Sequence, residues 1–357
     1  MKILLVDQFS GGAGGQQCLL DLAPGLVERG WRVHAAIPSG GTLGEQLNKA
    51  GVKVLEFPPL DYRNGRKSAW DVLRFASDTP SLARLIRRER ADVVYANGPR
   101  VLPAAALGAK RLVFHAHSLV PDRAARTVAG LSLWSRNASV IAACRFVAAP
   151  LPKRNLRVVY SGVPDHGING HARLGTPFRI GLVGRIAPEK GHVDFLRAAR
   201  MVLESAGTEC EFVICGAPLH SDRAYVDEVG KLAKQLPVTF LGWRQDVGAV
   251  LHGLTVLAVP SSGIDAAPRI VMEAFSAGVP VVAYPSGGIV ELIEHGKNGL
   301  LTSASRPEAL AASLLEAIAD PAKRRRLGEW GRATYLERFT VERYRREVVE
   351  IIEGFLS

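Results

Sequence analysis

The sequence predicts an α/β protein built from two doubly wound domains, each a parallel sheet covered by helices on both faces. Three observations carry that expectation. The chain has 357 residues, 47% apolar and 22% charged, too long for one ordinary domain and rich enough for two cores. Short apolar runs alternate with helix-length amphipathic segments, the pattern of a buried parallel sheet. The alternation restarts after residues 161–177, a stretch rich in Gly, Pro, His and Asn that lacks periodicity and reads as a linker.

In the first half, Lys2–Val6, Arg32–Ile37, Lys53–Phe57, Val93–Ala96, Arg111–Phe114, Val140–Ala143 and Arg157–Tyr160 read as strands. Gln16–Glu28 and Leu82–Arg90 read as helices between them. In the second half the strands are Phe178–Val183, Glu211–Cys215, Val238–Leu241, Thr255–Pro260 and Val281–Ala283. Helices are expected at Val193–Ser205, Ser221–Gln235 and Ile270–Ala277. From Arg306 onward the chain reads as helical, with the basic run Lys323–Arg326 and a last amphipathic helix ending near Leu356. The expected domains are therefore 1–165, 166–335 and a C-terminal helix, 336–357, that packs back toward the first domain.

Charge is unevenly spread. Residues 1–165 hold 23 Lys and Arg against 12 Asp and Glu, whereas residues 166–357 hold 22 of each, so the net +11 belongs to the first half. A basic surface suits an anionic partner: nucleic acid, a phospholipid headgroup or a phosphorylated substrate. Solubility alone is the competing reading. The four cysteines, Cys18, Cys144, Cys210 and Cys215, form no C-x-x-C pair and fit a reduced, cytosolic protein. The opening Met1–Val6 run stops at Asp7, too short for a signal peptide, and no run approaches the ~18 apolar residues of a spanning helix.

Three motifs carry chemistry. Gly11-Gly-Ala-Gly-Gly15 follows the first strand and opens a helix. Glycines let backbone turn tightly and approach a ligand, and the helix N-terminus offers N–H groups to an anion. A dinucleotide site and a purely structural turn are the other readings. The dinucleotide fingerprint matches loosely, since Gln17 stands at the third glycine and no acid ends the second strand. The second motif is Gly184-Arg185-Ile-Ala-Pro-Glu-Lys190-Gly191. Its guanidinium and ammonium can reach one diphosphate, the first bidentately and the second as a point charge. Two solvated cations on a surface loop would look the same. The third runs from Pro260 to Ala283. In it Asp265 and Glu273 flank a helix N-terminus, and the N–H groups of Ala267, Pro268, Arg269 and Ile270 are expected to face an anion. Glu273, about one turn in, is placed to accept from ribose hydroxyls; an exposed acidic turn is the plainer alternative.

These motifs, in this order, resemble the retaining GT-B-fold glycosyltransferases of family 4, and the resemblance is strongest over residues 178–302. The family pattern is G-R-x4-K-G, F-x-G, P-S, an acid with seven intervening positions before E-A, and G-x-P-V-V-A, all present here. The resemblance implies a GT-B fold: two Rossmann-like domains facing across a cleft, the first binding acceptor and the second the nucleotide-sugar. It implies that Arg185 and Lys190 hold the donor diphosphate, Asp265 the sugar hydroxyls and Glu273 the ribose. Gly184 and Gly216, with Trp243 and Arg244, fall where the family binds the nucleotide, and Gly12, Gly14 and Gly15 where the first domain meets the phosphates. The family also places a histidine near the reacting sugar. His115 and His117 compete for that role; lying at alternating positions they are expected on opposite faces, and His115, directly after the apolar run, is favoured.

Two departures stand out. Asp265 replaces the usual Glu and is one methylene shorter, and Ala266-Ala267 replaces the common Gly-Phe. Ser286-Gly287-Gly288-Ile289-Val290-Glu291 preserves S-G-G-x-x-E, for which a structural role is one reading.

The implied reaction moves a hexose from a UDP-sugar, with a GDP-sugar as second choice, to a glycan, lipid-linked or small-molecule acceptor with retention. No cofactor and no metal is expected, because Arg and Lys take the metal's place on the diphosphate. Basic segments at Arg63–Lys67 and Arg84–Arg90 suit a peripheral contact with anionic membrane, and a merely solvated helix is the equal alternative. The expected location is the cytoplasm, with the inner face of the plasma membrane as the meeting place with a lipid-linked acceptor. Nucleic acid is not expected as a partner. The alternatives are a nucleotide-sugar epimerase of the same fold and a basic nucleic-acid-binding protein; the latter would explain the charge but not the second-half motifs. A dehydrogenase would need an intact first-domain fingerprint.

Overall fold

The computed structural model describes residues 1–11, 14–60, 69–120, 122–168, 177–206, 209–218, 222–263 and 265–356. Gly12, Arg63, Arg66 and Lys67 lie outside the described residues. The elements run in chain order as follows. The first set is β1 (Lys2–Asp7), α1 (Gly14–Glu28), β2 (Arg32–Pro38), α2 (Leu43–Lys49), β3 (Lys53–Phe57), α3 (Ala69–Glu89) and β4 (Val93–Asn97). Then come α4 (Leu102–Gly108), β5 (Leu112–Ala116), α5 (Arg123–Ser135), β6 (Ser139–Ala142), α6 (Arg145–Ala148) and β7 (Leu156–Val158). The next set is β8 (Phe178–Val183), a 3-10 turn (Pro188–Lys190), α7 (His192–Ala206), β9 (Cys210–Cys215), α8 (Arg223–Ala233) and β10 (Val238–Gly242). It continues with α9 (Val247–His252), β11 (Val256–Val259), α10 (Arg269–Ser276), β12 (Val281–Ala283), α11 (Ile289–Leu292) and β13 (Leu300–Leu301). Three helices finish the chain: α12 (Pro307–Ala319), α13 (Pro321–Arg338) and α14 (Val341–Gly354).

The chain divides into two compact units, Met1–Gly162 with Val341–Ser357, and Val163–Thr340. The divisions fall at 162/163 and 340/341, a few residues from the positions read off composition.

In the first unit seven parallel strands lie in the order β3-β2-β1-β4-β5-β6-β7. The central strands are buried along their length, β4 at every residue, because a sheet covered on both sides takes continuous apolar runs rather than alternation. One face packs on α1, α2 and α14: Leu19, Leu22 and Leu26 meet Tyr344, Val348, Val349 and Ile352 over Ile3, Leu5, Tyr95 and Val113. Helices α3, α4 and α5 pack in succession on the other. The strand order reverses between β1 and β4, whose last residues, Asp7 and Asn97, are register partners. Ligands of doubly wound sheets bind beyond the strand ends at such a reversal.

In the second unit six parallel strands lie in the order β10-β9-β8-β11-β12-β13, reversing between β8 and β11. The second motif leaves β8 and the third leaves β11, so both open from one reversal. The core joins Phe195, Leu196 and Val202 of α7 to Phe212, Ile214 and Leu314. The short β13 and the full extent of α3 were not anticipated: two residues carry no periodicity, and α3 begins 13 residues before the segment read as helical. Among the described residues no helix is long and apolar enough to cross a membrane.

Candidate active site

The second unit gathers Arg185, Lys190, Asp265 and Glu273 at the C-terminal edge of its sheet, because the first three sit on loops or a short 3-10 turn after β8 or β11 and Glu273 lies one turn into α10. Lys190 Nζ lies 2.5 Å from Asp265 Oδ2. Both side chains are mostly enclosed, 25% and 14% exposed, so the pair is less screened than a surface ion pair. Arg185 pairs with Glu189 one turn away. Arg269 Nε stands 3.8 Å from Glu273 Oε1 across the first turn of α10.

Backbone contacts join the loops. Ser262 N donates to Glu189 O at 3.0 Å, and Gly288 N to Asp265 O at 3.1 Å. Ser286 Oγ donates to Ser261 O at 2.5 Å. Gly287 sits at φ 53°, and a Cβ there would stand 2.0 Å from Asp265 O. The S-G-G segment thus presses directly on the carbonyl of the acidic residue. On the other side, Gly184 N donates to Cys215 O at 2.8 Å and Gly216 N to Gly242 O at 2.9 Å. A Cβ on Gly216 would lie 1.9 Å from Gly184 O, so only glycine lets the β8 and β9 loops approach. Trp243 is 60% exposed at the end of β10, with Arg244 exposed beside it.

The α10 entry differs from expectation in one respect. Pro268 is the N-cap and has no N–H, so it cannot donate to an anion. Its carbonyl instead accepts from Val271 N at 3.1 Å. The first backbone N–H groups of the helix belong to Arg269 and Ile270, after Ala267 in the approach loop.

The first unit places Gly14 and Gly15 at the start of α1. Gly15 O accepts from Asn97 Nδ2 at 3.0 Å, and a Cβ on Gly15 would stand 3.3 Å from His117 Cδ2. Asn97 Nδ2 also donates to Asp7 Oδ2 at 2.5 Å, Gln16 Nε2 donates to Asp7 Oδ1 at 2.7 Å, and Phe9 N to the same oxygen at 2.8 Å. His117 Nε2 meets Asn97 Oδ1 at 2.6 Å. Burial pushes the Asp7 carboxyl above its usual value, against the pull of these three bonds. Asp7, Gln16 and Asn97 were missed in the sequence, although an acid and an amide ending two apolar strands beside the reversal are a usable signal.

The histidine expectation fails twice. Residues two apart on a strand share a face, and the His115 and His117 rings lie 3.9 Å apart, tilted by 36°. His115 is the inner ring, with no exposed surface, inside β5; Tyr95 Oη meets its Nδ1 at 2.5 Å. Burial, with a smaller contribution from His117, holds His115 well below the ordinary imidazole value and keeps it neutral. Only His117 is partly exposed, so it is the histidine able to touch a ligand. His192, beneath the second motif, is fully buried and pushed down to about 4 chiefly by desolvation.

Residues 168–334 match the pattern of glycosyl transferases group 1, and residues 13–165 that of the glycosyl transferase 4-like domain. The chain belongs to the group 1 glycosyltransferases. A D-inositol 3-phosphate glycosyltransferase of Corynebacterium urealyticum is 27% identical over 215 residues, 57% of this chain and 50% of the relative. A 2-deoxystreptamine glucosyltransferase of Streptomyces kanamyceticus is 31% identical over 213 residues, 56% and 54% of the two chains. A lipopolysaccharide core biosynthesis mannosyltransferase of Rhizobium leguminosarum is 32% identical over 167 residues, 44% and 46%. The chain therefore spans about half the length of the curated relatives it matches. Among solved structures, Anabaena HepE in complex with UDP and glucose is similar with a TM-score of 0.84 at 23% identity, covering 99% of this chain and 100% of that one. A glycosyltransferase from Rickettsia africae is similar with a TM-score of 0.80 at 19% identity, covering 100% and 98%. These likenesses establish the fold: two Rossmann-like α/β domains of the GT-B type.

Proposed function

We propose that this group 1 protein transfers a hexose from a UDP-sugar to a glycan, lipid-linked or small-molecule acceptor, with retention of anomeric configuration and without a divalent metal. The observation that carries the reading is the convergence of Arg185, Lys190, Asp265 and the α10 first turn beyond one strand-order reversal. Breaking the anomeric C–O bond leaves negative charge on the departing diphosphate. Arg185 can meet it bidentately and Lys190 as a point charge, and the first turn of α10 adds its positive end. These groups supply the countercharge that other transferases draw from a metal. Asp265, freed from Lys190 as the diphosphate claims the ammonium, accepts from sugar hydroxyls. Glu273 accepts from the ribose. Trp243 and Arg244 border the base. Relatives named for D-inositol 3-phosphate, for 2-deoxystreptamine and for lipopolysaccharide core biosynthesis support a polyhydroxylated acceptor. Binding of UDP in HepE supports uracil as the donor base. Retention rests on family resemblance alone.

The test is calorimetric titration with UDP, GDP and ADP in EDTA, followed by product NMR with a UDP-hexose. UDP binding that is lost in Arg185→Ala and Glu273→Ala, with an axial product from an axial donor, is the expected result. Binding of GDP alone would replace the donor; an inverted product would remove retention; strict dependence on a divalent metal would remove the role given to Arg185 and Lys190.

A further inference from the structure

The outer face of α5 is apolar, which a helix on a solvated surface does not require. Val128, Leu131 and Trp134 are 40%, 61% and 79% exposed and recur every three residues, so they form one stripe. Scattered exposed apolar residues are ordinary, but a stripe ending in a nearly bare Trp is a docking feature. The helix is well made and ends cleanly: Asp122 caps it by accepting from Ala125 N at 2.6 Å, and Asn137, at φ 45°, closes it.

The charge around the stripe says what can cover it. Residues 98–164 contain ten Lys and Arg and a single acid, Asp122. Arg123 and Arg126 are exposed on α5 itself. At its far end Arg136 Nε donates to Ala106 O at 2.5 Å, and Arg87 Nη2 donates to Leu107 O at 3.2 Å. This gathers two guanidinium groups beside Leu107, itself 53% exposed. Two copies of such a surface would repel, and an acidic protein partner would leave the Trp and Leu side chains without an apolar seat. A flat, anionic surface with an apolar interior satisfies both features.

We infer that α5 is an interfacial helix that seats this unit on an anionic lipid bilayer, with Leu131 and Trp134 entering the acyl boundary and Arg123, Arg126 and Arg136 at the headgroups. The basic segment Arg84–Arg90, to which the sequence had pointed, does not provide such an anchor: Leu82 and Ile86 are buried, so it contributes charge only. The α5 N-terminus lies six residues beyond His117, at the same edge of the sheet, so a bilayer along α5 would bring lipid headgroups toward that edge.

The experiment is flotation of the full chain with phosphatidylcholine vesicles and with vesicles containing one third phosphatidylglycerol. The variants are Leu131→Asp/Trp134→Asp and, as a control for an exposed Trp in the other unit, Trp330→Asp. Both sites are exposed, and far-UV circular dichroism and melting confirm folding. The wild type and Trp330→Asp should bind anionic vesicles only and release in high salt. The double variant should bind at least about tenfold more weakly, since insertion scales with buried apolar area. Three results would each overturn the inference: no binding by wild type, equal binding by the double variant, or a dimer in sedimentation that the double variant dissociates in the absence of any vesicle binding. The readout is independent of sugar transfer, so a vesicle-binding chain without transferase activity would remove only the proposed function, and the reverse result only this inference.

Discussion

Lys190 and Asp265, seventy-five residues apart in the chain, hold each other at 2.5 Å beyond the strand-order reversal of the second unit. The pair keeps the ammonium aimed at the edge where β8 and β11 end. It also gives the carboxylate a partner that an incoming diphosphate can take over. Lys190→Ala removes the cation and leaves Asp265, 14% exposed, without its ion-pair partner. UDP affinity should fall about tenfold or more, equivalent to ~1.4 kcal/mol. Asp265→Asn should change UDP affinity far less and weaken the UDP-sugar. Calorimetry with both ligands on both variants checks this; equal losses for UDP and UDP-sugar in Asp265→Asn would contradict the role given to the carboxylate.

Gly287→Ala tests the contact that seats Asp265. The added Cβ would meet Asp265 O at 2.0 Å in a backbone conformation of φ 53°. The chain must shift, and the expected loss is about 1–3 kcal/mol of stability, with weaker UDP binding. Gly263→Ala, with open space around its Cβ but a φ of 71°, should carry only the conformational cost and lose less. Urea denaturation of the two variants compares them directly; an equal loss would show that the Asp265 contact adds nothing.

The two stacked histidines make opposite predictions. His117→Gln should depress turnover by tenfold or more, to order of magnitude, with little change in melting temperature, because the ring is partly exposed. His115→Gln should lower the melting temperature, because the ring is fully enclosed against Tyr95 and His117. Turnover of a UDP-hexose and a thermal melt on each variant distinguish them. A folded His115→Gln protein that has lost turnover as completely as His117→Gln would return the ligand role to His115.

His192 sets an acid limit on the second unit. Its imidazole has a folded value of about 4 against 6.5 in the unfolded chain, so the unfolded state binds the extra proton. Stability is full above pH 6.5 and declines as pH falls from there toward 4, by ~3 kcal/mol in all. His115, lowered in the same direction, should extend the decline in the first unit. Urea denaturation between pH 7.5 and about 4.5 should show the loss, and His192→Gln should flatten its share of it. A variant with an unchanged slope would show that His192 is not the titrating group.

Sequence order alone carried most of the second unit. Apolar runs separated by amphipathic segments mark parallel strands because a strand buried on both faces has no polar side to show, as β4 and β11 illustrate. The positions of Arg185, Lys190, Asp265 and Glu273 were legible because they lie just after a strand end or near a helix start, where local spacing decides position; the roles given to them came from the family resemblance. Three things were decided only by the tertiary structure. Asp7 and Asn97 became neighbours through register across the reversal, a pairing of residues 90 apart that no local pattern encodes. Gly287 acquired its meaning from the Asp265 carbonyl pressed against it. The choice between His115 and His117 depended on how far β5 continues and on which ring lies inward. A strand's period of two does put both on one face, but depth is set by Tyr95 and the packing beneath them, groups brought there by the sheet. Spacing along the chain thus determined which residues could act, and burial against distant elements determined which of them can reach a ligand.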